Sequence, residues 1–235
     1  LSLYRIGAFS AVLAAGLALI QMLIEIVGVG IRGTPVPDTV SAWFALLRAD
    51  RLLGFTELTG LQVPIFILLV PMFLALHIAL RRFAPGPVTT ATVFALMGVT
   101  VYLASNTVFS MVTLSDQYAA AMSDAERAGL LAAGQAMLAT YDGPGLDVGI
   151  VLVMVATLIL SATMWRSGAF DRVTASMGLL APVVASGYYL GVAFPANRIF
   201  LLEAAGVLLV VWGLLVARRL NHMAGRVWGS AAIRG

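Results

Sequence analysis

Hydrophobic positions in this chain come in long runs with few charges, separated by short polar segments. Six runs are long enough to cross a bilayer as helices, at about residues 4–29, 52–80, 90–113, 148–165, 173–194 and 199–216. The first ends in a cluster of Gly28, Gly30 and Gly33, and Thr34-Pro-Val-Pro-Asp38 reads as a loop. Asp38 or Thr39 then caps a short amphipathic helix carrying Trp43, Phe44, Leu46 and Leu47, suited to a membrane interface. The second run contains Pro64 and Pro71, both expected to bend it, and stops at Arg81-Arg82.

Between the third and fourth runs lies the longest polar segment, residues 115–145. Within it Ser123-Asp-Ala-Glu126 forms a capping box for a helix over Arg127–Thr140. Leu130, Leu131, Met137 and Leu138 share one side of that helix, so it should lie on the membrane surface or cover the bundle. The fifth run contains Pro182, Pro195-Ala-Asn197 makes a minimal turn, and Arg218-Arg219 open a polar tail. The pattern predicts an all-α fold: a single polytopic membrane helix bundle of about six spans plus two short interfacial helices, over residues 1–235. The first run, from about Ile6 to Ile31, exceeds the roughly 7–15 residues of a signal-peptide core and reads as a span.

Composition sharpens this picture. The 235 residues are 61% hydrophobic and 11% charged, against about 25% charged for ordinary soluble domains, and the mean hydropathy is +0.99. Such a chain cannot cover itself with polar surface in water, so the lipid bilayer is its expected solvent. There are no cysteines, which removes disulfides, thiolate metal sites and cysteine nucleophiles. All 14 basic residues are arginines, which removes Schiff-base chemistry and the lysine of a phosphate-binding loop. The pI near 9.7 does not point to nucleic acid, because the arginines sit at the ends of the runs.

With six spans, Arg5, Arg81, Arg82, Arg166, Arg172, Arg218, Arg219, Arg226 and Arg234 fall on one side. Arg32, Arg48, Arg51, Arg127 and Arg198 fall on the other, together with Asp38, Asp50, Asp116, Asp124, Glu126 and Asp142. This bias puts both termini in the cytoplasm. The expected location is the bacterial cytoplasmic membrane, since arginine without lysine and abundant Ala and Gly suit a GC-rich bacterial genome.

Ionisable residues within spans cost a few kcal/mol or more at the bilayer centre, and they point to function. Glu25, Glu57 and Glu203 lie seven, six and five residues from Arg32, Arg51 and Arg198. Each is therefore roughly 8–10 Å inside the outer end of its helix. Gln21 shares a face with Glu25. Tyr102, Asn106 and Ser110 form a stripe on the third helix, Ser186 and Tyr189 lie three apart on the fifth, and Asp147 opens the fourth. A polar cavity opening outward is the expected geometry, with Glu25, Glu57, Asn106, Glu203, Arg198, Gln21, Tyr102 and Tyr189 as its contacts. The competing reading is a structural polar cluster in which Arg51 and Arg198 neutralise two of the acids. Three glutamates also suit a hard cation such as calcium or magnesium. His77 reads as an interfacial packing residue and His222 as part of the tail, so no zinc site is expected. No Gly-x-Ser-x-Gly or His-Glu-x-x-His motif occurs, and Gly28-Val-Gly-Ile-Arg-Gly33 ends a span with no Rossmann context. No catalytic residue and no cofactor follow from these motifs.

Leu130-Leu-Ala-Ala-Gly-Gln-Ala-Met-Leu-Ala-Thr140 with Tyr141 carries a resemblance, together with Met164-Trp-Arg-Ser-Gly-Ala-Phe-Asp-Arg-Val-Thr-Ala-Ser-Met-Gly-Leu-Leu180. Both segments resemble a group of small bacterial membrane proteins catalogued as domain-of-unknown-function family 4386. The resemblance implies the six-span architecture over most of the chain and brings no established activity. The functional expectation is a non-enzymatic membrane protein binding a small amphiphile, lipid or cation in an outward-facing cavity, for transport or sensing. Two alternatives stand beside it. One is an accessory subunit whose partners are the other subunits of a membrane complex. The other is an intramembrane enzyme using a glutamate as general acid or base on a lipid.

Overall fold

The computed structural model describes residues 2–190 and 198–232, with side chains for all of these except 189, 190, 198–200, 202 and 226–232. Among the described residues the fold is all-helical. Helix α1 (Leu3–Glu25) runs into a π-helical turn (Ile26–Ile31), followed by α2 (Val40–Ala49), α3 (Arg51–Glu57), α4 (Gln62–Leu80) and α5 (Pro85–Ser105). Then come α6 (Val108–Ala120), α7 (Asp124–Tyr141), α8 (Pro144–Ser167), α9 (Arg172–Leu190) and α10 (Arg198–Ala232). Four helical stretches among the described residues are long and apolar enough to cross a membrane: Leu3–Ile31, Gln62–Leu80, Pro85–Ala120 and Asp124–Ser167.

The long helices close a ring, in the order α1, α4, α5, α8, α9, α10 and back to α1, with α4 also touching α8 across the middle. Small residues set the approach distances, as expected where van der Waals packing between helices holds a bundle together. At the α5–α8 crossing, a Cβ on Gly98 would lie 2.6 Å from the Gly149 oxygen, and one on Gly149 would lie 2.9 Å from the Gly98 oxygen. The main core includes Ala75, Leu76 and Leu80 of α4, Val88 of α5, Leu160 and Met164 of α8, and Val216 and Leu220 of α10. His77 of α4 helps to fix the ring: Thr92 of α5 donates its hydroxyl hydrogen to the Val88 carbonyl, leaving its oxygen to accept from His77 Nδ1 at 3.0 Å.

One end of the ring carries Arg81, Arg82, Arg166, Arg172, Arg218 and Arg219. There Gly168 takes the left-handed conformation (φ +63°) that ends α8, and Arg219 Nε donates to the Ala169 carbonyl at 2.8 Å. The other end is covered by a second layer of α2, α3, α6 and α7 with its own core, which includes Trp43, Phe44, Leu58, Met111 and Leu138. Surface ion pairs Arg32–Asp50 (3.1 Å) and Arg51–Asp116 (2.9 Å) tie this cap together. As expected, Thr39 caps α2, its hydroxyl accepting from Ala42 N–H. Ser123 caps α7 and accepts from Glu126 N–H, while the Glu126 carboxylate reaches back to Met122 N–H, one residue beyond the usual capping box.

Several expected helices differ in extent. The run 52–80 is two helices, α3 and α4, separated by residues 58–61. Pro64 lies in the first turn of α4, where a missing N–H leaves no helix bond unmade, so Pro71 is the proline inside that helix. The run 90–113 begins at Pro85 and breaks at Asn106, whose backbone is extended (ψ 122°). Consecutive Ser105, Asn106 and Thr107 offer the backbone competing side-chain partners there. The expected tail after Arg218 continues α10, because Leu220 and Ala224 stay fully buried along the same face. The fifth run ends for description at Leu190, and residues 191–197 lie outside the described residues.

Candidate functional site

Glu25, Glu57 and Glu203 come from α1, α3 and α10, and local packing sets them at one level. One turn beyond Glu203, a Cβ on Gly206 would lie 2.6 Å from Met22 Cε of α1, close to one turn before Glu25. One turn before Glu57, Leu53 fills the space over Gly28, where a Cβ would lie 2.3 Å from its Cδ1. The π-helical turn that supplies Gly28 begins immediately after Glu25. Such widened turns are rare and occur often at functional sites.

The three carboxylates are within electrostatic reach of one another. Glu25 feels the charges of Glu203 and Glu57, and Glu57 feels that of Glu203. Gln21 Nε2 donates to Glu25 Oε1 at 2.9 Å, and Glu57 Oε1 is buried without a hydrogen-bond partner. Glu25 and Glu57 are half-buried, whereas Glu203 opens to the surface. The expectation that Arg51 neutralises a glutamate is not met: its guanidinium makes a two-point contact with Asp116, at 2.9 and 3.2 Å. Among the described residues none of the three glutamates forms an ion pair. No three His, Asp or Glu side chains among those residues sit close enough to share one metal ion.

Behind Glu57, the break at 58–61 carries a second, uncharged group. Thr59 adopts a positive φ of 59°, uncommon for a residue with a branched side chain. Asn106 Nδ2 donates to Thr59 Oγ1 at 3.0 Å, and Asn106 Oδ1 accepts from the N–H of Val108, the first residue of α6, at 3.1 Å. Asn106 thus ties one helix break to the other. Tyr102 is fully buried, stacked on Phe66 with ring centroids 3.7 Å apart, and its hydroxyl donates to Gln62 Oε1. The Tyr141 hydroxyl donates to the Glu57 main-chain carbonyl at 3.1 Å. Backbone groups freed by a helix break need other partners, and these side chains supply them to Thr59 O, Glu57 O and Val108 N–H.

The expected residues therefore fall into two adjoining groups: Glu25, Gln21, Glu57 and Glu203 in one, Tyr102 and Asn106 in the other. The side chains of Tyr189 and Arg198 lie outside the described residues. Ser110 leaves the expected stripe, because the break at Asn106 restarts the helix and turns Ser110 outward. Ser186 donates to its own helix at Val183 O, and Asp147 is exposed on the first turn of α8. Thr59, Gln62 and Tyr141 were not expected in the site. Their signals in the sequence are Thr-Gly at 59–60 before Gln-Val-Pro, and the Tyr-Asp-Gly-Pro turn at 141–144.

Two grooves open on the molecular surface. One of about 630 Å³ lies between α6 and α7, lined by residues that include Phe109, Ser110 and Met137. The other, of about 270 Å³, lies between α8 and α9. Neither is lined by a carboxylate, so the expected acid-lined outward cavity is not one of these. The glutamates instead lie on α1, α3 and α10, near where α1 packs against the other two helices. No family model, curated protein or solved structure matches this chain.

Proposed function

We propose that this is a six-span protein of the bacterial cytoplasmic membrane, both termini cytoplasmic, that binds a cationic amphiphile for transport or sensing. The observation that carries this reading is the approach of Glu25, Glu57 and Glu203 from three helices, with no ion pair to any of them among the described residues. Their spacing is too wide for one bare metal ion. It suits a bulkier organic cation, whose charge is spread and whose apolar part stays among the helices. The arginine bias between the two ends supports the orientation. The resemblance to domain-of-unknown-function family 4386 fits the span count and adds no activity.

The test is binding of radiolabelled tetraphenylphosphonium, a lipophilic cation, to the purified protein in detergent. A carboxylate about 8 Å from the bound charge contributes roughly 2 kcal/mol at an effective dielectric of about 20. Glu57→Gln and Glu203→Gln should each weaken binding about tenfold or more, while Asp116→Asn at the same end changes it little. Wild-type affinity in all three of Glu25→Gln, Glu57→Gln and Glu203→Gln would sink the assignment.

A further inference from the structure

The crevice between α8 and α9 is mostly apolar, and arginines stand beyond one end of it on the same two helices. Val155 and Leu158 of α8 face Pro182 and Val183 of α9 across the groove of about 270 Å³. Helix geometry extends both walls towards the arginine-bearing end. Trp165 lies seven residues after Leu158, two turns along the same face of α8, and Arg172 lies eleven residues before Val183, three turns along α9. The two extensions meet: the Arg172 guanidinium sits 5.8 Å from the Trp165 ring centroid. Trp165, Arg166 and Arg172 are all exposed, and neither arginine is ion-paired among the described residues. The nearby carboxylate of Asp171 is engaged by Thr174, which donates to it from its backbone N–H and its hydroxyl.

We propose that this crevice is a binding site for an anionic phospholipid, with one acyl chain between α8 and α9 and the phosphate held by Arg166 and Arg172. From Val183 to Arg172 is about 16 Å along the helix, comparable to one leaflet of hydrocarbon, about half of the roughly 30 Å core. Trp165 stands at the level where an indole favours the boundary between chains and headgroups. Arginine pairs with phosphate oxygens in a two-point fork, so a headgroup of net negative charge is selected over a zwitterionic one. This site is separate from the glutamate group and independent of what binds there.

The test titrates phosphatidylglycerol and phosphatidylcholine against the full chain in mild detergent, with retained lipid counted by native mass spectrometry. Phosphatidylglycerol should be retained preferentially, and Arg166→Gln and Arg172→Gln should each weaken retention about fivefold. Val183→Trp, which fills the groove, should displace the lipid without lowering the melting temperature. Arg81→Gln/Arg82→Gln, at the same end on other helices, should leave retention unchanged. Equal retention of the two lipids, an equal loss in the Arg81/Arg82 variant, or displacement by millimolar inorganic phosphate would each overturn the proposal. The last outcome would make this a site for free phosphate.

Discussion

Asp171 closes the turn between α8 and α9 and starts α9 with two of its oxygens: Oδ1 accepts from Thr174, and its carbonyl accepts from Ala175 N–H. The Thr174 hydroxyl and N–H bonds hold the carboxyl below its usual pKa. Partial burial opposes this, and Arg218 and Arg219 add to the lowering. Since the folded pKa lies below the unfolded value near 3.9, the ionised carboxylate stabilises the fold fully above that pH. The contribution fades as pH falls through the folded pKa. Asp171→Ala should therefore lower stability by about 1 kcal/mol at neutral pH, with the difference in melting temperature closing as the pH falls through the folded pKa. A gap that persists undiminished in acid would show that the carboxylate charge is not what matters. At this scale the sequence was readable where charge interrupts hydropathy, as with Glu25, Glu57 and Glu203. It was not readable where a partner comes from far along the chain. Arg51 lies six residues from Glu57 yet pairs with Asp116, 65 positions away.

Helices α3 with α4, and α5 with α6, are two broken elements joined at their breaks by the Asn106–Thr59 hydrogen bond. Asn106→Ala removes that bond and the one from Val108 N–H together, and should destabilise by about 2 kcal/mol. In a Thr59→Ala background the same substitution should have a smaller effect, by roughly 1 kcal/mol, in a double-mutant cycle of thermal or denaturant unfolding. Strict additivity would mean that the two breaks are not coupled. The helix caps at Thr39 and Ser123 were legible because their signals are local. The breaks were harder to see: hydropathy runs through residues 58–61 almost without interruption, and the left-handed turn there is made by Thr59 rather than a glycine. Pro64 was visible, but whether it bends a helix or begins one depends on where the preceding helix stops.

For the whole molecule, the all-helical architecture followed from the long unbroken apolar runs, since a segment of that length satisfies its own backbone in lipid only as a helix. The ring order did not, because each run is apolar on several sides and its neighbours are chosen by small-residue contacts such as Gly98 with Gly149. The orientation we propose can be read directly, because the chain has no cysteine to interfere. Cysteines introduced at the exposed positions Asp38, Phe83 and Asp124 give three reporters. A membrane-impermeant maleimide applied to intact cells should label Asp38→Cys and Asp124→Cys but not Phe83→Cys. The opposite pattern would invert the topology, and labelling of Asp38→Cys and Phe83→Cys from the same side would break the span count.

The separate core of the cap has a consequence for how the protein is made. Trp43 and Phe44 of α2 are buried against Met111 of α6 and Leu138 of α7, which leave the ribosome much later. At about 5–20 residues per second, the interval between completing Ala49 and Tyr141 is on the order of ten seconds. Throughout it two large aromatic side chains wait for partners not yet synthesised. Slower translation of residues 50–141 therefore lengthens the time in which this chain is most open to mispairing.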